Sequence, residues 1–378
     1  LTLFPVFAIE VLNGTPKVAI ALLATFTIGI ALGSLACSIF SAGRVELGLV
    51  PIGALGMSLF TWNLSSASID PGDQMRTLVQ VLAEPGVLMV LFNLVMIAFF
   101  AGLFIVPLYT YMQTKSRESE RSRIIAVNNI INALFMIVAG GLGIALDAAG
   151  FSVMEIFKIV AFLNVIVAIY ILATIPEYFL RLLSWLLAHC IYRIKKEDLN
   201  KIPETGAALL VCNHVSFFDP PILLGILPRP ARFVMWYSFY ELPIIGRLFQ
   251  WLKSIPIGNR RERPELVKQA FDTIAEELEA GRLVVVFPEG SITRDGEVSK
   301  FQPCIDEIVK RTPVPVIPLA LRGVWGTWAS RKRGSALKGL PRGFMKKLTV
   351  VAGDPVAPED ATRLSMHAKV MALRGDEK

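Results

Sequence analysis

Five stretches of this chain run without a single Asp, Glu, Lys or Arg: residues 18–43, 47–69, 85–114, 124–146 and 159–176, of 26, 23, 30, 23 and 18 residues. The hydrocarbon core of a bilayer takes about 20 apolar residues of helix, and a charge at its centre costs about 2.5–3.5 kcal/mol. All five are therefore expected to cross a membrane. Residues 1–16 read as the tail of an earlier span or an interfacial piece, which makes about five to six spans. A hydrophobic content of 54 % excludes an ordinary soluble protein. Small residues inside the runs, as in GIALGSLACS (29–38) and AGGLGIALDAAG (139–150), permit close helix packing in lipid.

Charge divides the chain and orients it. Residues 1–180 hold 8 Lys/Arg against 10 Asp/Glu, whereas residues 181–378 hold 30 against 21. Arg44 follows the first span, Lys115, Arg117, Arg121 and Arg123 the third, and Arg181, Arg193, Lys195 and Lys196 the fifth. The alternate loops carry Asp70, Asp73, Glu84 and Asp147 with Arg76 alone against them. The positive-inside tendency then puts everything after about residue 180 in the cytoplasm. No cleavable leader is visible, and a start at Leu1 rather than Met leads us to expect truncation at the N-terminus. Cys37, Cys190, Cys212 and Cys304 lack any metal-ligand spacing and read as reduced, so no metal is expected.

Three segments follow from these patterns: a membrane-spanning part over 1–178, an interfacial linker over 179–200, and a cytosolic domain over 201–378. EYFLRLLSWLLAHCIYRIKK (177–196) mixes aromatics and leucines with basic ends, as expected of an amphipathic helix in the headgroup region, and His189 belongs to it. Beyond residue 200 short β-rich runs alternate with helical ones. Strands are expected at 207–212, 231–237, 282–287, 314–321 and 348–353. The helix over 264–281 starts at Pro264, ends at Gly281, and turns Leu266, Val267, Ala270, Phe271, Ile274 and Leu278 to one side. Strands separated by helices imply an α/β layer fold, with its site at the strand ends.

Candidate chemistry begins at NHVSFFDP (213–220). On a regular helix residues five apart point about 140° away from each other, so His214 and Asp219 meet only across a turn. Asp219-Pro220-Pro221 supplies one, since Asp is a favoured N-cap and Pro a favoured first helical residue. The carboxylate would then fix the tautomer of the imidazole and leave its other nitrogen to accept a proton. Taken alone, the pair fits a structural role as well. Further on, LVVVFPEGSITRDGE (283–297) runs a strand into Glu289, Gly290 and Ser291, with Arg294 close behind; a plain strand-ending turn reads the same way. KSIPIGNRRERP (253–264) offers Lys253, Arg260, Arg261 and Arg263 around a short strand, suited to a phosphate. VPVIPLAL (314–321), with Pro318, is an apolar strand that could line a wall for an acyl chain.

The ordered set NHxxxxD, basic short strand, FPEGS and VPVIP, spread over about 100 residues, resembles the glycerolipid acyltransferases that include 1-acylglycerol-3-phosphate acyltransferase. The resemblance implies a mixed sheet flanked by helices, His214 as general base and Asp219 as its partner. It also implies a substrate-binding set of Asn213, Arg260, Glu289, Gly290, Ser291, Arg294 and Pro318. The block that usually ends Ile-Asp-Arg departs here, because Ile257 is followed by Gly258, Asn259 and Arg260. The implied reaction moves an acyl group from a thioester, acyl-CoA or acyl carrier protein, to the free hydroxyl of a lysophospholipid of lysophosphatidic acid or lysophosphatidylethanolamine type. Neither cofactor nor metal is implied. No GxSxG elbow exists to make Ser216 a nucleophile.

Residues 1–178, through ALGSLACSIFSAGRVELGLVPIGALGMSLF (31–60), resemble the second half of major facilitator transporters, in particular the lysophospholipid transporter branch. That likeness implies a multi-pass protein of a bacterial inner membrane with its enzyme domain in the cytoplasm, and a membrane part that is half of a major facilitator fold. Two other readings stay open: a lysophospholipid transporter whose acyltransferase domain is accessory, and a phospholipid hydrolase. The segment RKRGSALKGLPRGFMKK (331–347), with seven Lys/Arg, fits either an anionic lipid surface or a solvated loop. Nucleic acid is not an expected partner, because no aromatic platform accompanies these charges.

Overall fold

A computed structural model of the chain describes residues 3–41, 46–70, 74–332, 334, 336 and 345–377. Arg44, Asp73 and most of the basic segment 331–347 lie outside the described residues. The chain divides into two compact units, Leu1–Phe179 and Leu180–Lys378.

The first unit is helical. After α1 (Leu3–Val6) and a turn of π-helix come α2 (Pro16–Ser41), α3 (Leu49–Leu64), α4 (Leu78–Ala83), α5 (Val87–Lys115), α6 (Arg121–Ala148) and α7 (Val153–Thr174). Helices α2, α5, α6 and α7 are long and apolar enough to cross a membrane, which marks a membrane protein. The expected span over 47–69 is shorter than its uncharged gap. Ser65 and Ser66 both donate to the Trp62 carbonyl at the end of α3, leaving 16 residues of helix, about 24 Å at 1.5 Å per residue. Glycines let α2 and α5 touch through their backbones: a Cβ on Gly33 would stand 2.1 Å from the Phe99 carbonyl oxygen, and one on Gly102 would stand 2.8 Å from the Ser34 nitrogen. Asn164 of α7 donates to the Ala54 carbonyl at 2.8 Å and to Ser58 Oγ at 2.9 Å, satisfying its amide within the helices.

The second unit is a seven-stranded sheet with helices on both faces. Helix α8 (Pro176–Ile191) leads into β1 (Tyr192–Glu197). The amphipathic helix expected to reach residue 196 thus stops five residues sooner, because Tyr-Arg-Ile-Lys also alternates apolar and basic with the period of a strand. There follow β2 (Ala208–Cys212), α9 (Asp219–Ile226), β3 (Ala231–Trp236), α10 (Ile245–Trp251), β4 (Ile255–Ile257), α11 (Pro264–Glu279), β5 (Leu283–Val286), α12 (Cys304–Arg311), β6 (Val316–Arg322), β7 (Lys346–Ala352) and α13 (Arg363–Arg374). Strand order is β1-β7-β6-β2-β5-β3-β4, and every pair is parallel except β6 with β7.

Period-two alternation fills both faces of the central strands, as a parallel sheet requires. Leu210, Cys212, Leu283 and Val285 pack with Ala188 of α8 and Ile222, Leu223 and Ile226 of α9. Leu209, Val211, Val284 and Val286 pack with Val267, Ala270, Phe271, Ile274 and Leu278 of α11 and with α12 and α13. The apolar stripe read from 264–281 is the buried stripe of α11, with Leu266 at its margin. Arg181, counted above among the charges that orient the chain, is buried: its guanidinium donates to the Leu227 carbonyl at 2.9 Å, where α9 ends.

Candidate active site

β2 and β5 are neighbours in register, Leu210 opposite Val285, and both end at the carboxyl edge of the sheet. His214 lies just past the end of β2, and Glu289 just past the end of β5. That edge is where parallel α/β sheets present their ligand sites.

Asn213 carries the ladder one step beyond β2. Its amide Nδ2 donates to the Leu321 carbonyl at 3.1 Å, and its Oδ1 accepts the Leu321 N–H at 2.8 Å. Both ends of a buried amide are thereby occupied, so Asn213, expected in the substrate-binding set, anchors the strand end before the turn.

His214 is fixed at three points. Its N–H donates to Glu289 Oε1 at 2.7 Å, its carbonyl accepts the Thr293 N–H at 3.0 Å, and its ring stacks on Phe287 with centroids 4.3 Å apart. Nδ1 lies 2.9 Å from Asp219 Oδ2; the histidine side chain is 18 % exposed and the aspartate 0 %. A carboxylate accepts only, so Nδ1 carries the proton and the neutral ring has its lone pair at Nε2. Nε2 has no hydrogen-bond partner among the described residues.

Asp219 does not cap the helix it opens. It is the first residue of α9, and its carboxylate turns back into the preceding loop. Oδ2 accepts the Val215 N–H at 2.6 Å and the Ser216 N–H at 2.8 Å as well as the imidazole, while Oδ1 accepts the Ser216 hydroxyl at 2.7 Å. The Ser216 hydroxyl accepts the Phe218 N–H at 3.1 Å in turn. Buried and bonded as both donor and acceptor, Ser216 braces the turn rather than offering a nucleophile.

Glu289 is buried, and its second oxygen accepts the Ser299 N–H at 2.7 Å. Burial lifts its carboxyl above the usual carboxylate range, against the pull of the Ser299 and His214 N–H groups. Both oxygens of Glu289, expected in the substrate-binding set, hold main chain. Gly290 closes a turn onto the Phe287 carbonyl at 3.1 Å with φ +72°, a conformation that favours glycine. Gly290, Ser291 and Arg294 are exposed beside it. Two expected members fall elsewhere. Arg260 bonds Glu307 on α12 at 2.9 Å, and Pro318 lies buried in β6 opposite Val211. Among the described residues neither makes a hydrogen bond or ion pair with His214: Arg260 is engaged by Glu307, and Pro318 is a sheet-core residue. The sequence reading gave no role to Phe287, Thr293 and Ser299, which act through a ring face and two backbone N–H groups; Phe287 is itself the first residue of FPEGS, and the other two follow that motif closely. Among the described residues no three His, Cys, Asp or Glu side chains group to hold a metal ion.

With this geometry in hand, comparison with known proteins is specific. Residues 193–322 match the family model described as Acyltransferase. The chain is 30 % identical over 133 residues to the chloroplastic 1-acyl-sn-glycerol-3-phosphate acyltransferase LPAT1 of Arabidopsis thaliana, covering 35 % of this chain and 36 % of that protein. It is 26 % identical over 139 residues to a probable 1-acyl-sn-glycerol-3-phosphate acyltransferase of Mycoplasma genitalium, covering 35 % of this chain and 51 % of the relative. The crystal structure of the LPA acyltransferase PlsC of Thermotoga maritima aligns with TM-score 0.41 and 24 % identity, over 54 % of this chain and 78 % of that one. The chain spans between about a third and about a half of the length of these curated relatives. Its C-terminal half carries a domain of the acyltransferase family.

Proposed function

We propose that the chain is a membrane-bound O-acyltransferase that moves a fatty acyl group from a thioester to the free hydroxyl of a lysophospholipid. The observation that carries the reading is the contact of His214 Nδ1 with the fully buried Asp219 carboxylate at 2.9 Å, at a strand edge of the acyltransferase-family domain. The acid holds the ring so that Nε2 faces the acceptor. As the lipid hydroxyl oxygen attacks the thioester carbonyl carbon, Nε2 takes its proton. When the carbon–sulfur bond breaks, the imidazolium returns that proton to the departing thiolate, and Asp219 stabilises the cation in between. A base so placed accounts for roughly 10² to 10⁴ in rate.

No residue needs to carry the acyl group, which agrees with the bonded state of Ser216. Either acyl-CoA or acyl carrier protein presents the same thioester to the base. Exposed Arg294 and Ser291, beside the turn at Gly290, remain the residues of the expected set suited to the phosphate end of the acceptor. The helical unit, with its sequence likeness to half of a major facilitator transporter, keeps the enzyme at the cytoplasmic face of a bacterial inner membrane, where lysophospholipid is delivered. The test uses the full chain in membranes with labelled acyl donor and lysophospholipid. Transfer is expected to fall by at least about 10² in His214→Ala, and full transfer by that variant would end the proposal.

A further inference from the structure

We infer that the exposed apolar face of α10, continued by Trp236 and Leu242, is a lipid-docking surface that dips into the bilayer beside His214. Ile244, Leu248 and Trp251 recur at helical spacing on one side of this short helix, with Ile245 next to them, and all are exposed; Ile244 reaches 84 %. A single exposed leucine on a protein needs no explanation, but a contiguous patch does.

The patch is held open rather than left loose. A Cβ on Gly246 would stand 2.1 Å from the Tyr240 carbonyl oxygen, so α10 sits against the turn before it. The Tyr240 hydroxyl donates to the Ser254 carbonyl and closes the far side. With this backbone fixed, the apolar side chains have water as their neighbour unless lipid covers them.

Three observations choose the lipid. Arg247 within the helix and Lys253 just beyond it are exposed, and the nearby Glu241 is paired with Arg263 at 3.3 Å, so the rim is basic. A basic rim around an apolar face suits anionic headgroups over acyl chains. Leu252 packs into the same core layer as Ala188 of α8, on the face of the sheet where Leu183, Leu186 and Leu187 of α8 are also exposed. Helix α8 begins one residue after α7, a helix long and apolar enough to cross a membrane, so this unit is tethered to a bilayer by its own chain.

The patch also joins the candidate site. The ring of Phe217, in the turn between His214 and Asp219, lies 6.1 Å from Phe239, and Phe239 lies 6.4 Å from Phe249 of α10. This aromatic row runs from the imidazole loop to the inner side of the docking helix. Resting on the acyltransferase reading, the surface places acyl chains of both substrates where the base works.

The test places the full chain in vesicles of phosphatidylcholine and phosphatidylglycerol whose acyl chains are brominated near the headgroup, and compares it with Trp251→Phe. The emission difference between the two proteins, which belongs to Trp251, is expected to fall by at least about half relative to unbrominated vesicles, as for an aromatic side chain in the interface. A difference of equal size in both vesicle types would overturn the inference. So would quenching that disappears on dilution of the protein, which marks a second copy, or protection of Trp251 only on adding an acidic carrier protein. Ile244→Glu/Leu248→Glu supplies the second measurement: the ratio of transfer to bilayer-held over monomeric short-chain lysophospholipid is expected to fall about tenfold. Absence of transfer from the unaltered protein in every form would sink the enzymatic reading and leave the quenching result standing.

Discussion

Glu289 grips the main chain of His214: one carboxylate oxygen accepts the histidine N–H at 2.7 Å while the other accepts the Ser299 N–H at 2.7 Å. A residue bonded in this way is expected to govern where the imidazole stands rather than how tightly lipid binds. Glu289→Ala leaves two N–H groups without acceptors, at about 1–3 kcal/mol each where they are buried. Glu289→Gln faces one of them with an NH2 donor. Both variants are expected to lower kcat with little change in KM for the lysophospholipid. A rise in KM alone would return Glu289 to the substrate-binding role read from sequence.

Asp219→Asn makes the same argument at the side chain. Oδ2 serves three donors, the imidazole and the Val215 and Ser216 N–H groups, and an amide offers one oxygen where a carboxylate offers two. Loss of the charge also removes the partner that stabilises a protonated ring. Acyl transfer is expected to fall by about 10² to 10⁴ while the protein still folds. Steady-state transfer assays beside a circular dichroism melt separate the two effects.

How much of this was legible beforehand depends on the range of each interaction. The stripe of α11 and the core strands showed because burial imposes its own period on the sequence. His214 and Asp219 showed because a turn of fixed length joins them. β1 did not, since Tyr192–Glu197 reads equally as the basic end of an amphipathic helix; its partner β7 lies about 150 residues away, and parallel pairing leaves no local mark. Asn213 and Glu289 stood out in the sequence, but their bonds to main chain did not. A polar side chain beside a motif announces that it bonds something, and only coordinates tell main chain from ligand. Thr293 and Ser299 act through backbone N–H groups, which have no residue-type signature.

Ser216→Ala decides between direct transfer and an acyl-enzyme. The hydroxyl donates to Asp219 and accepts from Phe218 N–H, so its removal is expected to destabilise the domain by about 1–3 kcal/mol. Transfer should persist within about tenfold, since Asp219 keeps its other bonds to the imidazole loop. Complete loss of transfer in a variant that melts near the original temperature would point to a serine nucleophile.

Gly225 tests how α8 is held on its domain. A Cβ there would meet the Trp185 Cα at 2.7 Å and its backbone nitrogen at 2.8 Å, and backbone cannot rotate away as a side chain can. Gly225→Ala is expected to destabilise by about 1–3 kcal/mol, as overpacking generally does. Denaturant unfolding followed by Trp emission reads it. The penalty should exceed that of Gly206→Ala, which has open space around its Cβ but a φ of +80°, because that exposed turn can relax.

The burial of Glu289 gives acidification an unusual sign. Its carboxyl titrates above the usual range because burial penalises the charge more than the Ser299 and His214 N–H groups reward it. Between the unfolded and the raised folded value the native state binds more protons than the unfolded one, so stability contributed by this group is fully present below the unfolded value and is lost as pH rises through the folded one. Comparing wild type with Glu289→Gln therefore isolates a term that favours the wild type increasingly as pH falls from neutral towards the ordinary carboxylate range. Transfer should move the other way over the same interval, because protonation leaves only one Glu289 oxygen as a pure acceptor and loosens the grip on the His214 loop. Paired melts and initial rates on both proteins at each pH measure the two trends, and parallel curves for wild type and Glu289→Gln would remove Glu289 as their source.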